Sequence, residues 1–140
     1  DKAVRTLALT DEERESIKIY PFLTGEPVLY VANVSDADLP EMDNQYVRQV
    51  KEYAAREGGL VVPVCAKIEE EIAQLPIEER KEFLESLGLE MSGLQRLIKA
   101  SFDMLGLITY ITAGEIETRA WTIMKGTKAP EAAGKIHTDL

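Results

Sequence analysis

The apolar positions of this 140-residue chain change period several times, and each change predicts an element. The densest apolar run is Val28-Leu29-Tyr30-Val31-Ala32, which follows Pro27 and leads into the polar tip Asn33-Val34-Ser35-Asp36. An unbroken run of this kind predicts a strand buried on both faces, and Pro27 suits a first strand position, where a missing N–H costs little. Upstream, Thr10-Asp11-Glu12-Glu13 predicts a helix start, with Thr10 as N-cap, acids in the first turn and Glu13 at the capping-box position. That helix is expected to run to about Tyr20 with Ile17 inward, before Pro21 and Thr24-Gly25-Glu26 turn the chain. Beyond Asp36 a polar loop containing Pro40 leads to a cap at Asp43 or Asn44. Tyr46, Val47, Val50, Tyr53 and Ala54 then recur at helical spacing until Gly58-Gly59. Leu60 to Val64 is a second buried strand, ending in Cys65-Ala66-Lys67.

Strand, helix and strand in this order predict a βαβ unit with parallel strands and a right-handed crossover. The polar tips at Asn33 and Cys65 must then share one edge of the sheet, the carboxyl edge where open α/β sheets bind ligands. From spacing alone Asn33 reads first as an Asx-type turn closing a strand, ahead of a ligand-binding residue. Lys67 to Gln74 reads as a short helix with Ile68 and Ile72 inward, and Glu69-Glu70-Glu71 as its solvated face rather than a metal cluster. After Leu75-Pro76, residues 77–87 predict a helix with Phe83, Leu84 and Leu87 inward, stopped by Gly88. Ser92 caps another helix with an apolar stripe of Leu94, Leu97, Ile98, Phe102 and Leu105, closed by Gly106. From Leu107 the texture becomes β-branched and aromatic. It predicts strands at 107–113 and 118–124 about a Gly114-Glu115 turn, then a short helix opening at Ala129-Pro130. A hairpin and one helix bury little area, so this last unit is too small to stand alone.

Composition narrows the function classes. An apolar share of 45% and a charged share of 29% belong to a soluble globular protein, and neither a signal peptide nor a membrane-length apolar run is present, so a cytoplasmic protein with no membrane partner is expected. One Cys forms no intrachain disulfide. The net charge of −9 is uneven: residues 1–90 carry −10 and residues 91–140 carry +1. A field of that sign repels nucleic-acid phosphate from the first part and makes DNA an unexpected partner. Arg119, Lys125, Lys128, Lys135 and His137 would tolerate an RNA surface. Asp1 is not an initiating Met, so the chain reads as starting inside a larger protein.

Asn33-Val34-Ser35-Asp36, Cys65-Ala66-Lys67, Ser92-Gly93-Leu94 and the long run from Thr112-Ala113-Gly114 through Arg119-Ala120-Trp121-Thr122-Ile123 and Gly126-Thr127-Lys128-Ala129-Pro130 to Asp139 together resemble the YchF/Obg-like ATPases. These are Obg-branch P-loop nucleotidases with an inserted helical arm and a C-terminal TGS domain. The resemblance implies an α/β fold: residues 1–9 as the end of the arm, 10–105 as the second half of the nucleotidase domain, with its parallel sheet and flanking helices, and 106–140 as the start of a β-grasp-like TGS domain. The family's G-x-x-x-x-G-K-[ST] phosphate loop and Mg²⁺-binding switch residues do not occur in this sequence. They are expected upstream, so this chain alone is expected not to hydrolyse nucleotide.

The resemblance implies nucleotide-binding residues Asn33, Val34, Asp36, Cys65, Ala66 and Lys67, with no catalytic or metal-ligating residue in the chain. ATP, with Mg²⁺ held elsewhere, is the implied nucleotide and GTP the alternative. Guanine-specific relatives use Asn-Lys-x-Asp, whose carboxylate accepts from guanine N1–H and the 2-amino group; here Val34 replaces the Lys. Asn33 and backbone groups suit the adenine edge, Val34 would cover the ring face, and the Lys67 stem would stack on it. Cys65 is either a buried small apolar residue or an oxidation-sensitive loop thiol. Trp121 either packs in a core or faces a partner, and His137, the single His, sits at a helix end or on a contact surface. The whole protein is expected to be a slow ATPase that binds ribosomes. The rival reading is an interaction module for ribosomal RNA or protein with no nucleotide chemistry of its own.

Overall fold

The structure, a computed structural model, describes residues 2–136. It divides into two compact units, Asp1–Ile98 and Lys99–Leu140.

In the first unit, helix α1 (Asp11–Ile17) carries the expected capping box: Thr10 Oγ1 accepts from Glu13 N at 3.2 Å, and Glu13 Oε2 accepts from Thr10 N at 2.8 Å. It stops short of Tyr20, because a residue preceding proline is pushed out of helical geometry and Pro21 follows. Strands β1 (Leu29–Asn33) and β2 (Leu60–Val64) flank helix α2 (Gln45–Glu57) and pair in parallel, in register from Leu29↔Leu60 to Asn33↔Val64. Asn44 is the cap of α2, its Oδ1 accepting from Tyr46 N and Val47 N at 3.0 Å. Gly58 closes the helix at φ +69°, a conformation open to glycine without the Cβ penalty.

The expectation that β1 is buried on both faces is corrected. Val31 is 52% exposed, because α2 covers one side and the sheet has two strands among the described residues. Tyr46 and Tyr53 of α2 are likewise exposed, while Val47 and Ala54 face the core.

Helices α3 (Ala66–Gln74), α4 (Ile77–Ser86) and α5 (Gly93–Met104) follow. Ile68, Ile72 and Leu84 join Val34, Met42 and Val47 in one buried cluster, with Phe83 and Leu87 packed against it. Ser92 and Gln95 form a second reciprocal box at the start of α5, at 3.0 and 3.1 Å. The expected inward stripe of α5 is only partly inward: Leu94, Ile98 and Leu105 are about half exposed.

The second unit contains an antiparallel hairpin of β3 (Leu107–Ala113) and β4 (Thr118–Met124), followed by helix α6 (Ala129–Gly134). Tyr110 Oη donates to the Ala132 carbonyl at 2.7 Å, which fastens α6 to the face of the hairpin that carries buried Ile123. Trp121 is half-buried. Its Nε1 donates to Thr112 Oγ1 at 2.9 Å, and the Arg119 guanidinium lies 4.3 Å from its ring centroid. The opposite face, with Ile111 and Met124, is exposed. His137 and the Thr138-Asp139 end of the resemblance lie outside the described residues. Among the described residues no helix is long and apolar enough to cross a membrane.

Candidate functional site

The carboxyl ends of β1 and β2 lie side by side because the strands are parallel and in register, and two side-chain contacts tie their loops together. Asn33, the last residue of β1, accepts from Ala66 N at 3.0 Å through Oδ1. Ala66 opens α3, whose N-cap position is held by Cys65, a residue that makes no side-chain cap bond. The amide oxygen of Asn33, from the neighbouring strand, satisfies the first of the helix's orphan N–H groups, one that an N-cap side chain does not take. With Oδ1 committed to an N–H donor, Nδ2 is the face of Asn33 left to donate outward.

Lys67 Nζ meets Asp36 Oδ2 at 2.5 Å, and the second carboxylate oxygen accepts from Ser35 Oγ at 3.1 Å. Ser35 in turn caps the single helical turn Asp36–Asp38 by accepting from Ala37 N at 3.2 Å. The Lys67 ammonium, and after it the Ser35 hydroxyl, hold the Asp36 carboxyl below the usual carboxylate range, while Asp36 pushes Lys67 up. Both are therefore charged at neutral pH, and both remain well exposed.

Of the six residues expected to bind nucleotide, Asn33, Asp36, Ala66 and Lys67 gather on this open edge, and two side chains turn away from it. Val34 is 8% exposed and Cys65 2% exposed; both sit in the core cluster. The expectation that Val34 covers a purine ring is corrected: its N–H donates to the Val64 carbonyl at 2.9 Å and its side chain points inward, leaving backbone as its contribution to the edge. The Cys65 thiol is likewise enclosed, which fits a small apolar role.

The acidic run 69–71 is not a uniform solvated face. Glu70 and Glu71 are exposed, but Glu69 Oε1 accepts from Gly93 N at 2.6 Å and Oε2 from Leu94 N at 3.1 Å, so its carboxylate caps α5. The Ile68/Ile72 spacing could not single it out, since Glu69 and Glu71 lie equally far from the buried stripe of α3, on opposite sides of it. Among the described residues no group of three or more His, Cys, Asp or Glu side chains is placed to hold a metal ion.

A second polar cluster, not anticipated from sequence, lies where α2 runs out. Glu57 Oε2 accepts from Arg5 Nη2 at 2.7 Å and Tyr30 Oη at 3.0 Å, and Oε1 accepts from Tyr53 Oη at 3.0 Å. Arg5 first, then Tyr53 and Tyr30, hold Glu57 below the usual carboxylate range. Burial, followed by Glu57, pushes Tyr30 up. A cavity of about 350 Å³ adjoins this cluster, lined by Val4, Arg5, Leu9, Arg14, Ile17 and Phe22 among others, and none of the six expected nucleotide-binding residues lines it.

Comparison with known proteins gives consistent matches. Residues 107–140 match the family model YchF-GTPase_C, described as a protein of unknown function (DUF933). The ribosome-binding ATPase YchF of Bacillus subtilis is 52% identical over 141 residues, spanning 100% of this chain and 38% of that protein. The human Obg-like ATPase 1 is 43% identical over 132 residues, spanning 93% of this chain and 33% of that protein. The solved YchF GTPase of Schizosaccharomyces pombe superposes with a TM-score of 0.84 at 36% identity, covering 99% of this chain and 37% of that one. The chain thus spans well under half the length of the relatives it matches. With identity at this level over nearly the whole chain and a matching α/β fold, the chain belongs to the YchF/Obg-like family.

Proposed function

We propose that this chain supplies the base-reading edge of a purine-nucleotide-binding protein that prefers ATP. The observation that carries the reading is the pair of cross-loop contacts, Asn33 Oδ1 to Ala66 N and Asp36 to Lys67, which hold the ends of the two parallel strands as one edge. Asn33 Nδ2 donates to the purine N7 acceptor, and the first-turn N–H of Lys67 donates to adenine N1. The Lys67 stem lies over the ring. Preference is expected from the Lys67 N–H, which suits the N1 acceptor of adenine and opposes the N1–H of guanine, and from Asp36, where guanine's donors would compete with Lys67 and Ser35.

Hydrolysis requires a phosphate cradle and Mg²⁺ from elsewhere in a longer protein. The names of the bacterial relatives support a ribosome partner and a cytoplasmic setting for that protein. In that longer protein residues 1–9 would end a helical arm, 10–105 would form the second half of the nucleotidase domain and 106–140 would open a TGS-like domain. A ribosome-docking role for the second unit is supported by the exposed Arg119 stacked on half-buried Trp121, an arrangement that can accept a base or an aromatic side chain.

Fluorescent ATP and GTP analogues titrated against the chain and its Asn33→Ala variant test the edge. We expect ATP to bind more tightly than GTP, and roughly tenfold weaker binding in the variant, the loss of one well-placed hydrogen-bonding group. Unchanged affinity would remove Asn33 from the site. Ribosome co-sedimentation of the wild type and Trp121→Ala separates the docking role, which predicts pelleting of the first and loss of it in the second.

A further inference from the structure

The two contacts at the start of α3 face different parts of the molecule. Ala66, its first residue, is held by Asn33 at the strand edge, while Glu69, three residues on, places both carboxylate oxygens on the first two amides of α5. Residues three apart share a helix face, so Asn33, the first turn of α3 and the first turn of α5 form one hydrogen-bonded chain. The α5 end of it is closely packed. Gly93 is buried, and a Cβ there would lie 2.8 Å from Val64 Cγ1 and 2.9 Å from Glu69 Oε1. Val64 is the β2 residue in register with Asn33. A displacement of Ala66 toward a bound base therefore carries the Glu69 carboxylate with it, against a helix start that has little room to adjust. The bonds are charge-assisted and sit at the positive end of the α5 dipole, where a carboxylate is most effective.

We propose that Glu69 is a positioning residue that couples the purine-edge loop to the first turn of α5, so that nucleotide at the loop and order at Gly93-Leu94 stabilise each other. The inference rests on the base-reading assignment above. Coupling between two sites is reciprocal in binding free energy, so weakening the α5 contact must weaken nucleotide binding by the factor through which nucleotide steadies that contact.

Amide exchange measured by NMR on the 140-residue chain, with and without millimolar ATP, tests this in the wild type, Glu69→Gln and the exposed neighbour Glu70→Gln. Gln presents one acceptor oxygen where Glu presents two, so one α5 amide loses its partner. The expected result is ATP-dependent shifts at Ala66 and Lys67 and a several-fold slowing of exchange at Gly93 and Leu94. In Glu69→Gln the slowing is lost and ATP binds roughly fivefold more weakly; Glu70→Gln behaves as wild type. If ATP shifts Ala66 and Lys67 but Glu69→Gln binds it as well as wild type and merely melts at a lower temperature, Glu69 is a structural cap, and the coupling is overturned while the base-reading assignment stands. If ATP leaves Ala66 and Lys67 unmoved, both are overturned.

Discussion

Each end of the parallel strand pair carries a carboxylate paired with a cation, and the two are built differently. Where α2 runs out, Glu57 is 17% exposed in its side chain and receives three donors, from Arg5, Tyr30 and Tyr53. At the carboxyl edge, Asp36 is 44% exposed and faces Lys67, itself 65% exposed. The first arrangement binds three separate segments and leaves its carboxylate fully committed. The second bridges two loops through a solvated ion pair, a kind of contact worth little to stability and easily rearranged. One sheet thus has an end fixed in place and an end free to respond. Responsiveness follows from exposure and donor count, since the charge is the same at both ends.

The largest expected effect breaks the ground beneath the open edge. Gly93→Val drives a branched side chain into Val64 and Glu69 and should lower unfolding stability by about 2 kcal/mol, measured by urea denaturation. A neutral result would mean that α5 does not press on β2. Next, Glu57→Gln should accelerate amide exchange in residues 3–25, which Arg5 anchors, while ATP affinity stays within about twofold of wild type. A large loss of affinity would show that the two ends are not independent.

Lys67→Met keeps the apolar stem but frees Asp36. GTP affinity relative to ATP should rise several-fold while the unfolding transition stays in place. An unchanged ratio would mean that the ion pair does not set the preference.

Acid separates the ends by a smaller margin. Both carboxyls are held below their ordinary range, so the stabilisation each provides is fully present above the unfolded value of about 4. It is lost as pH falls through the depressed folded value, and resonances of Arg5 and Lys67 should report the two losses separately. Smallest of all, high salt should perturb the signals of Lys67 and leave those of Arg5 nearly unmoved, because screening acts chiefly on exposed pairs.

The parallel pairing and the shared edge were legible in the sequence, since period and chain order force them: an apolar run, a helix and a second run admit one common topology. Thr10, Ser92 and Gly58 announced their caps through residue type alone. Asn44 resolved a choice that residue type left open, because Asp43 and Asn44 are both good caps. The burial of Val34 was hidden, since side-chain direction at a strand end depends on how the chain turns, which pattern does not encode; for Cys65 a buried apolar role was one of the two readings its residue type offered. Glu69 was hidden in a charge run because Glu71 lies equally close to the buried stripe of α3, and the Arg5–Glu57 contact because it spans 52 residues of sequence. The half-exposed faces of Val31, Leu94 and Ile98 could not be read from apolar content, which records what can be buried and not what covers it.

The central claim is that Asn33, Ala66 and Lys67 form an edge that reads a purine. A titration of the chain with millimolar ATP, GTP and CTP, followed through the backbone amides of Ala66 and Lys67, tests it most directly. The account predicts saturable shifts at both amides with ATP, weaker ones with GTP and none with CTP, with the ATP midpoint moved roughly tenfold higher in Asn33→Ala. Equal shifts with all three nucleotides, or an unmoved midpoint in the variant, would contradict it.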